Sequence, residues 1–298
     1  MSNDGLIDKY KDEYKKCEIC FQSKITRKPF HQVERKTELL QSVHSDICDL
    51  SNTMTRGGKY YFITFIDDCS RYTYVYLLRT KDEALSKFKI YVTEVENKLN
   101  RKVVTFRSDR GGEYTSKDFL DYCESKGIKR TCTAPYTPQQ NGIAERKNRT
   151  LIEMVNSMLI ASDSPKNLWG EALLTACYIL NRVLHSKTNR TPLEIWEGRK
   201  PSLRYFKVWG CLAYIRIVDP TRPKLGPHSW ESVSIGYAQD SAAYRFIKLE
   251  DLSLIESGDA DFFEDFFPFK TKFTSEPSSS KRVLGTLEEK ESQPRRSK

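Results

Sequence analysis

The chain has no run of about 18 consecutive apolar residues, and its mean hydropathy is −0.61, which argues against a helical membrane span. Its first residues, MSNDGLIDKY, lack a basic segment followed by an apolar one, so a secretory signal is not expected. The eight cysteines do not form a spaced framework. Most sit inside apolar strand-like or helical runs and read as reduced thiols, which points to an intracellular compartment. Histidine is rare, at four residues, and no Ser-His or Cys-His constellation marks a covalent nucleophile. No internal repeat is apparent. What remains is a basic chain of 298 residues with net charge +9, long enough for one large core plus a smaller module.

The charge is unevenly spread. Residues 101–150 hold eleven Lys or Arg against six acids, a balance that favours an anionic, phosphate-bearing partner. Within and beside this basic stretch stand three acids in unlike settings. Asp46 lies inside the strand-like run VHSDICDL, where a carboxylate is costly unless it is paired, hydrogen-bonded or bound to a cation. Asp109 ends the run RKVVTFRSD and is followed by Gly111 and Gly112, so it is expected at a strand exit on the rim of a sheet. Glu145 is separated from Asp109 by 35 intervening residues and opens a helical stretch, NGIAERKNRTLIEMVNSML. Each acid has a structural explanation alone: a satisfied core acid, a turn residue, one half of a Glu145–Arg149 pair. Together, two strand acids and one acid on a basic helix start can hold a pair of divalent ions against a phosphodiester. Asp67 and Asp68 are the rival carboxylates, with Arg71 near enough to make them a structural turn. His44 reads as a packing residue and Glu113 as a loop residue.

The periodicity orders the chain. Strands are expected at Val43–Leu50, Tyr60–Asp67, Tyr72–Leu78, Val103–Ser108 and Ile128–Thr133, from alternating and aromatic composition. Helical spacing marks Lys81–Leu99, Lys117–Lys126, the stretch ending at Leu159, and Leu168–Val183. Ala134–Gly142, with two prolines and Asn-Gly, reads as a loop. Later strand signals at Tyr205–Ile217, Val233–Tyr237 and Ala243–Lys248 suggest a small β module. Asp259–Phe269, DADFFEDFFPF, is expected as a last strand, with an exposed docking peptide as the alternative. Lys270–Lys298 has the composition of a disordered tail.

HSD (His44–Asp46), FRSDRGGEY (Phe106–Tyr114) and PYTPQQNGIAERKNR (Pro135–Arg149) resemble the catalytic core of retroviral-type integrases, and most nearly those of copia-type LTR retrotransposon Pol polyproteins. The resemblance runs from about Cys17 to about Phe267. It implies an α/β, RNase H-like mixed five-stranded sheet with flanking helices, followed by a small β module and a disordered tail. The corresponding divisions are a truncated zinc-binding segment at 1–35, a catalytic core at 36–200, a small β-rich module at 201–269 and a disordered tail at 270–298. It further implies that Asp46, Asp109 and Glu145 are catalytic and hold two Mg²⁺ or Mn²⁺ ions, with Asp46 bridging both. Gln140, Asn141, Arg146, Lys147 and Arg149 are the candidate DNA contacts. Cys17 and Cys20 have the CxxC spacing of half a zinc site; the family's preceding histidine pair is missing from residues 1–16, and His31 lies outside the family order. The implied function is trimming and joining of element DNA ends to target DNA, by a homo-oligomer acting in the nucleus, with a cytoplasmic particle before it. Neither a membrane nor a small-molecule substrate is implied. The alternative is a catalytically impaired fragment or a host-adopted DNA-binding protein that keeps the fold.

Overall fold

Two five-stranded sheets organise the chain, and the first positions the three acids. The computed structural model describes residues 38–132, 141–184, 189–217 and 225–273, all within one compact unit. Cys17, Cys20, His31, Gln140 and the segment from residue 274 onward lie outside the described residues.

In the first sheet the order is β3-β2-β1-β4-β5, formed by β1 (Ser42–Asp49), β2 (Tyr61–Asp67), β3 (Thr73–Leu78), β4 (Thr105–Ser108) and β5 (Lys129–Cys132). β1 pairs antiparallel with β2 and parallel with β4, which makes the sheet mixed. Alternation along the strands divides its two faces. Val43, Ile63, Phe65 and Phe106 face one core with α1 (Ala84–Leu99), α2 (Gly112–Thr115) and α3 (Lys117–Lys126), through Phe88, Tyr91, Val95, Tyr114 and Phe119. Phe62 and Val75 face the other, with Leu151 and Val155 of α4 (Gly142–Ser162) and Trp169 and Leu173 of α5 (Trp169–Leu180). The central strands are thus covered on both sides.

The string TPLEIWEG forms α6 (Pro192–Glu197) for local reasons. Thr191 Oγ1 accepts from Glu194 N at 3.1 Å while Glu194 Oε2 accepts from Thr191 N at 2.8 Å, a reciprocal cap with proline at the first position. Gly198 at φ 73° ends the helix. Glu113, expected in a loop, instead lies in the short helix α2.

The second sheet is antiparallel, in the order β10-β6-β7-β8-β9, from β6 (Leu212–Arg216), β7 (Ser229–Tyr237), β8 (Tyr244–Lys248), β9 (Leu254–Ser257) and β10 (Ala260–Phe263). The run expected as strand from Tyr205 starts pairing only at Leu212. Gly210, at φ 82°, turns the chain just before it, and Trp209 is drawn into the core with its Nε1 donating to Ile235 O at 2.8 Å. The acidic-aromatic run is a strand only as far as Phe263; it leads into α7 (Pro268–Phe273), so ordered chain extends past Lys270, where a tail was expected. Trp209, Val233, Ile235, Ile247 and Phe269 share one core with Leu151, Val155 and Leu173. The second sheet is therefore packed onto α4 and α5. Cys48, Cys69, Cys123, Cys177 and Cys211 are all free thiols.

Candidate functional site

Asp46 sits in the middle of β1, opposite Thr64 of β2. The parallel register sets Ser42 beside Thr105 and His44 beside Arg107; continued two residues along, it brings Asp109 level with Asp46 as the chain leaves β4. Glu145 stands in the first turn of α4, and Asn148, one turn on, reaches β1. There Asn148 Nδ2 donates to Asp46 Oδ2 at 3.0 Å, and Thr64 Oγ1 donates to Asn148 Oδ1 at 3.0 Å. The start of α4 is tied to the same strand by Asn141, whose Nδ2 donates to Ser45 O at 3.2 Å. From the opposite face, the Ser45 hydroxyl meets the Tyr114 hydroxyl at 2.9 Å.

The electrostatics mark Asp46. Burial pushes its carboxyl up to about 7, with the charges of Asp109 and Glu145 adding to the rise and the Asn148 bond opposing it. Asp46, Asp109 and Glu145 form no ion pair with any described residue, so the helix-pair explanation of Glu145 with Arg149 does not hold. Asp109 Oδ1 accepts only from Gly111 N, at 3.1 Å. An all-oxygen carboxylate set, partly buried and lacking a cation, fits hard divalent ions. Among the described residues no three His, Cys, Asp or Glu side chains are grouped at ligand spacing. The three acids thus influence one another without forming a closed cage.

The neighbouring candidates divide. Arg146 and Arg149 are exposed beside Glu145. Gly142 leaves room for the Arg146 guanidinium, which a Cβ there would approach to 3.0 Å. Lys147 is half-buried, and burial lowers its amine below the ordinary lysine range, beside Cys177 and Arg71. Asn141 is 2% exposed, with its Nδ2 engaged on β1. Gly111 and Gly112 do not adopt positive φ; a Cβ on Gly111 would meet only the mobile end of the Glu113 side chain.

The rival acids are structural. Asp67 Oδ1 accepts from Leu40 N at 2.8 Å, and its Oδ2 accepts from Ser70 N and Oγ, both at 2.7 Å. Asp68 Oδ1 lies 3.2 Å from both Arg71 Nη1 and His44 Nε2, with His44 1% exposed. Asn148 and Thr64 are the site residues that sequence reading missed. The available signal was spacing: Asn148 lies three residues after Glu145, on the helix face that carries Ala144, Leu151 and Val155 inward.

Two family models match the chain: the integrase core domain over residues 37–138, and the retroviral polymerase SH3-like domain over residues 211–276. The first contains Asp46 and Asp109 and stops short of Glu145. A retrovirus-related Pol polyprotein from transposon TNT 1-94 of Nicotiana tabacum is 41% identical over 252 residues, 84% of this chain and 19% of that one. The corresponding polyprotein from transposon RE2 of Arabidopsis thaliana is 30% identical over 257 residues, 86% of this chain and 17% of that one. The chain therefore spans about a fifth of the length of these curated relatives. A solved chain from the simian T-cell lymphotropic virus intasome in complex with PP2A regulatory subunit B56 gamma aligns with TM-score 0.51 at 18% identity, covering 83% of this chain and 87% of that one. That likeness is one of fold, the mixed sheet flanked by helices described above. On the two domain matches and these relatives, the chain belongs to the integrases of copia-type retrotransposon Pol polyproteins.

Proposed function

We propose that this chain is a metal-dependent polynucleotidyl transferase that trims retrotransposon DNA ends and joins them to target DNA. The observation that carries the reading is the Asp46 carboxyl, raised to about 7 by burial beside Asp109 and Glu145 with no cationic side chain paired to it. Asp46, Asp109 and Glu145 would hold two Mg²⁺ or Mn²⁺ ions. Such ions supply activation of an attacking oxygen and neutralisation of the departing one. Asn148 holds Asp46 Oδ2, and Thr64 holds Asn148, so the carboxylate keeps one orientation. Exposed Arg146 and Arg149 bind the phosphate backbone next to the acids. Water is the nucleophile when an end is trimmed, and the freed 3′-hydroxyl when that end attacks target DNA in line. Double-stranded DNA is the partner, a homo-oligomer is the working form, and integration takes place in the nucleus.

A second reading, DNA binding without catalysis, is favoured by one observation: the acids are not grouped at ligand spacing among the described residues. The two separate on incubation with a short duplex carrying a recessed 3′ end, a plasmid and Mg²⁺. Joined products that vanish in Asp109→Asn, with duplex binding retained, support the transferase. Binding without cleavage or joining in either Mg²⁺ or Mn²⁺ refutes it.

A further inference from the structure

The segments that carry the three acids meet at one residue, Ser45. Its hydroxyl lies 2.9 Å from the Tyr114 hydroxyl, with Ser45 fully buried and Tyr114 1% exposed. Its carbonyl accepts from Asn141 Nδ2 at 3.2 Å. From each contact a short run of bonds leads to an acid. Tyr114 N donates to Gly111 O at 3.1 Å, and Gly111 N donates to Asp109 Oδ1 at 3.1 Å. On the other side, Glu145 N donates to Asn141 O at 3.2 Å. Asp46 is the next residue of β1.

The surroundings of the Ser45–Tyr114 pair do not call for hydroxyls. The Tyr114 ring packs on Phe106 and Phe119, with centroids 5.8 and 5.7 Å away, inside an apolar cluster that also holds Val43 and Phe88. Alanine and phenylalanine would fill much the same space. A buried hydroxyl is costly unless it finds a partner, so this pair is satisfied only when α2 stands at one position against β1. A paired polar contact in a core specifies one arrangement where apolar packing tolerates several. The arrangement specified here is that of the turn between β4 and α2, which carries Asp109 level with Asp46.

We propose that Ser45 and Tyr114 are positioning residues, whose hydroxyl pair fixes the Asp109 turn against β1 and so sets Asp109 in register with Asp46. Neither side chain touches the reacting groups, because alternation along β1 puts Ser45 on the face opposite Asp46. The consequence for metal affinity rests on the reading of the three acids as ligands; the fixing of the turn rests on the bonds themselves.

The test compares the full chain with Tyr114→Phe, Ser45→Ala and the double variant, all of which keep an apolar core. In chelator, amide hydrogen exchange should quicken at least about fivefold at Gly111, beyond any change at Leu173 in the interior of α5. Mn²⁺ titration followed by electron paramagnetic resonance should show affinity lowered at least about tenfold in each single variant. The double variant should lose no more than either single one, because both remove the same contact. Joining should fall at limiting Mn²⁺ and recover at saturating Mn²⁺, a split that a general loss of stability does not produce. A rise in exchange at Gly111 no greater than at Leu173 overturns the proposal, as does unchanged Mn²⁺ affinity in the variants of a chain that binds Mn²⁺. A wild type that binds no Mn²⁺ refutes the reading of the acids as ligands instead, and exchange at Gly111 then decides the positioning role alone.

Discussion

Asp46→Asn should make the metal-free protein more stable, and only at neutral and alkaline pH. The folded carboxyl titrates at about 7, against 3.8 for the ordinary group. The folded state therefore holds a proton that the unfolded chain has lost over that interval, and stability falls as pH rises from about 4 to about 7. A difference of about three pKa units corresponds to roughly 4 kcal/mol, and side-chain relaxation reduces the measured gain to about 2–4 kcal/mol. For a protein of this size that is a rise in Tm of about 4–12 °C near pH 8, shrinking to nothing by about pH 4. The asparagine keeps an oxygen to accept from Asn148 Nδ2, so no hydrogen bond need be lost. Thermal melts in chelator at several pH values, wild type against variant, measure the gap. Other titrating groups cancel in the difference. A gap that is absent, or that does not change with pH, refutes the account of Asp46 as a carboxylate held against repulsion. Millimolar Mg²⁺ should raise the Tm of the wild type and leave Asp46→Asn nearly unchanged.

Asn148→Ala should lower joining about ten- to a hundredfold, the usual cost of losing a group that orients a metal ligand, and Thr64→Val should lower it less; equal activity in both would remove their orienting role. Gly236→Ala should destabilise by about 2–3 kcal/mol, because Gly236 sits at φ 140° and a Cβ would strike the Thr175 hydroxyl; urea unfolding measures it. Asp67→Ala leaves the buried donors Leu40 N and Ser70 N unmatched and should cost about 2–4 kcal/mol, visible as a lowered urea midpoint.

The first sheet was legible because its strands alternate toward two cores and its acids interrupt that alternation. Asp46 stood out as a carboxylate in an apolar strand, and the structure accounts for the oddity by burial beside two other acids. Asn148 did not stand out, because in a polar stretch of helix its role depends on which strand α4 crosses. Lys147 shows the converse. It lies on the stripe of Leu151, Met154 and Met158, at steps of four, three and four, so its inward position was readable from spacing that net charge obscured. The second sheet was expected as a small β module because the chain changes character after about residue 200. Composition says nothing of what Trp209 and Ile235 face, and they face Leu173 and Val155.

That shared core bears on how three like charges are held near one another. α4 carries Glu145 toward Asp46, a repulsive approach, and something must keep the helix on the strand. Asn141 and Asn148 tie it to β1 at Ser45 and Asp46. Leu151 and Val155 then bury into a cluster that runs through α5 to Val233 and Ile247 of the second sheet. Burial of side chains of this kind contributes about 1.5–3 kcal/mol each. The packing of the second sheet thus opposes, at a distance, the repulsion from Asp109 and Glu145 that helps raise the Asp46 carboxyl.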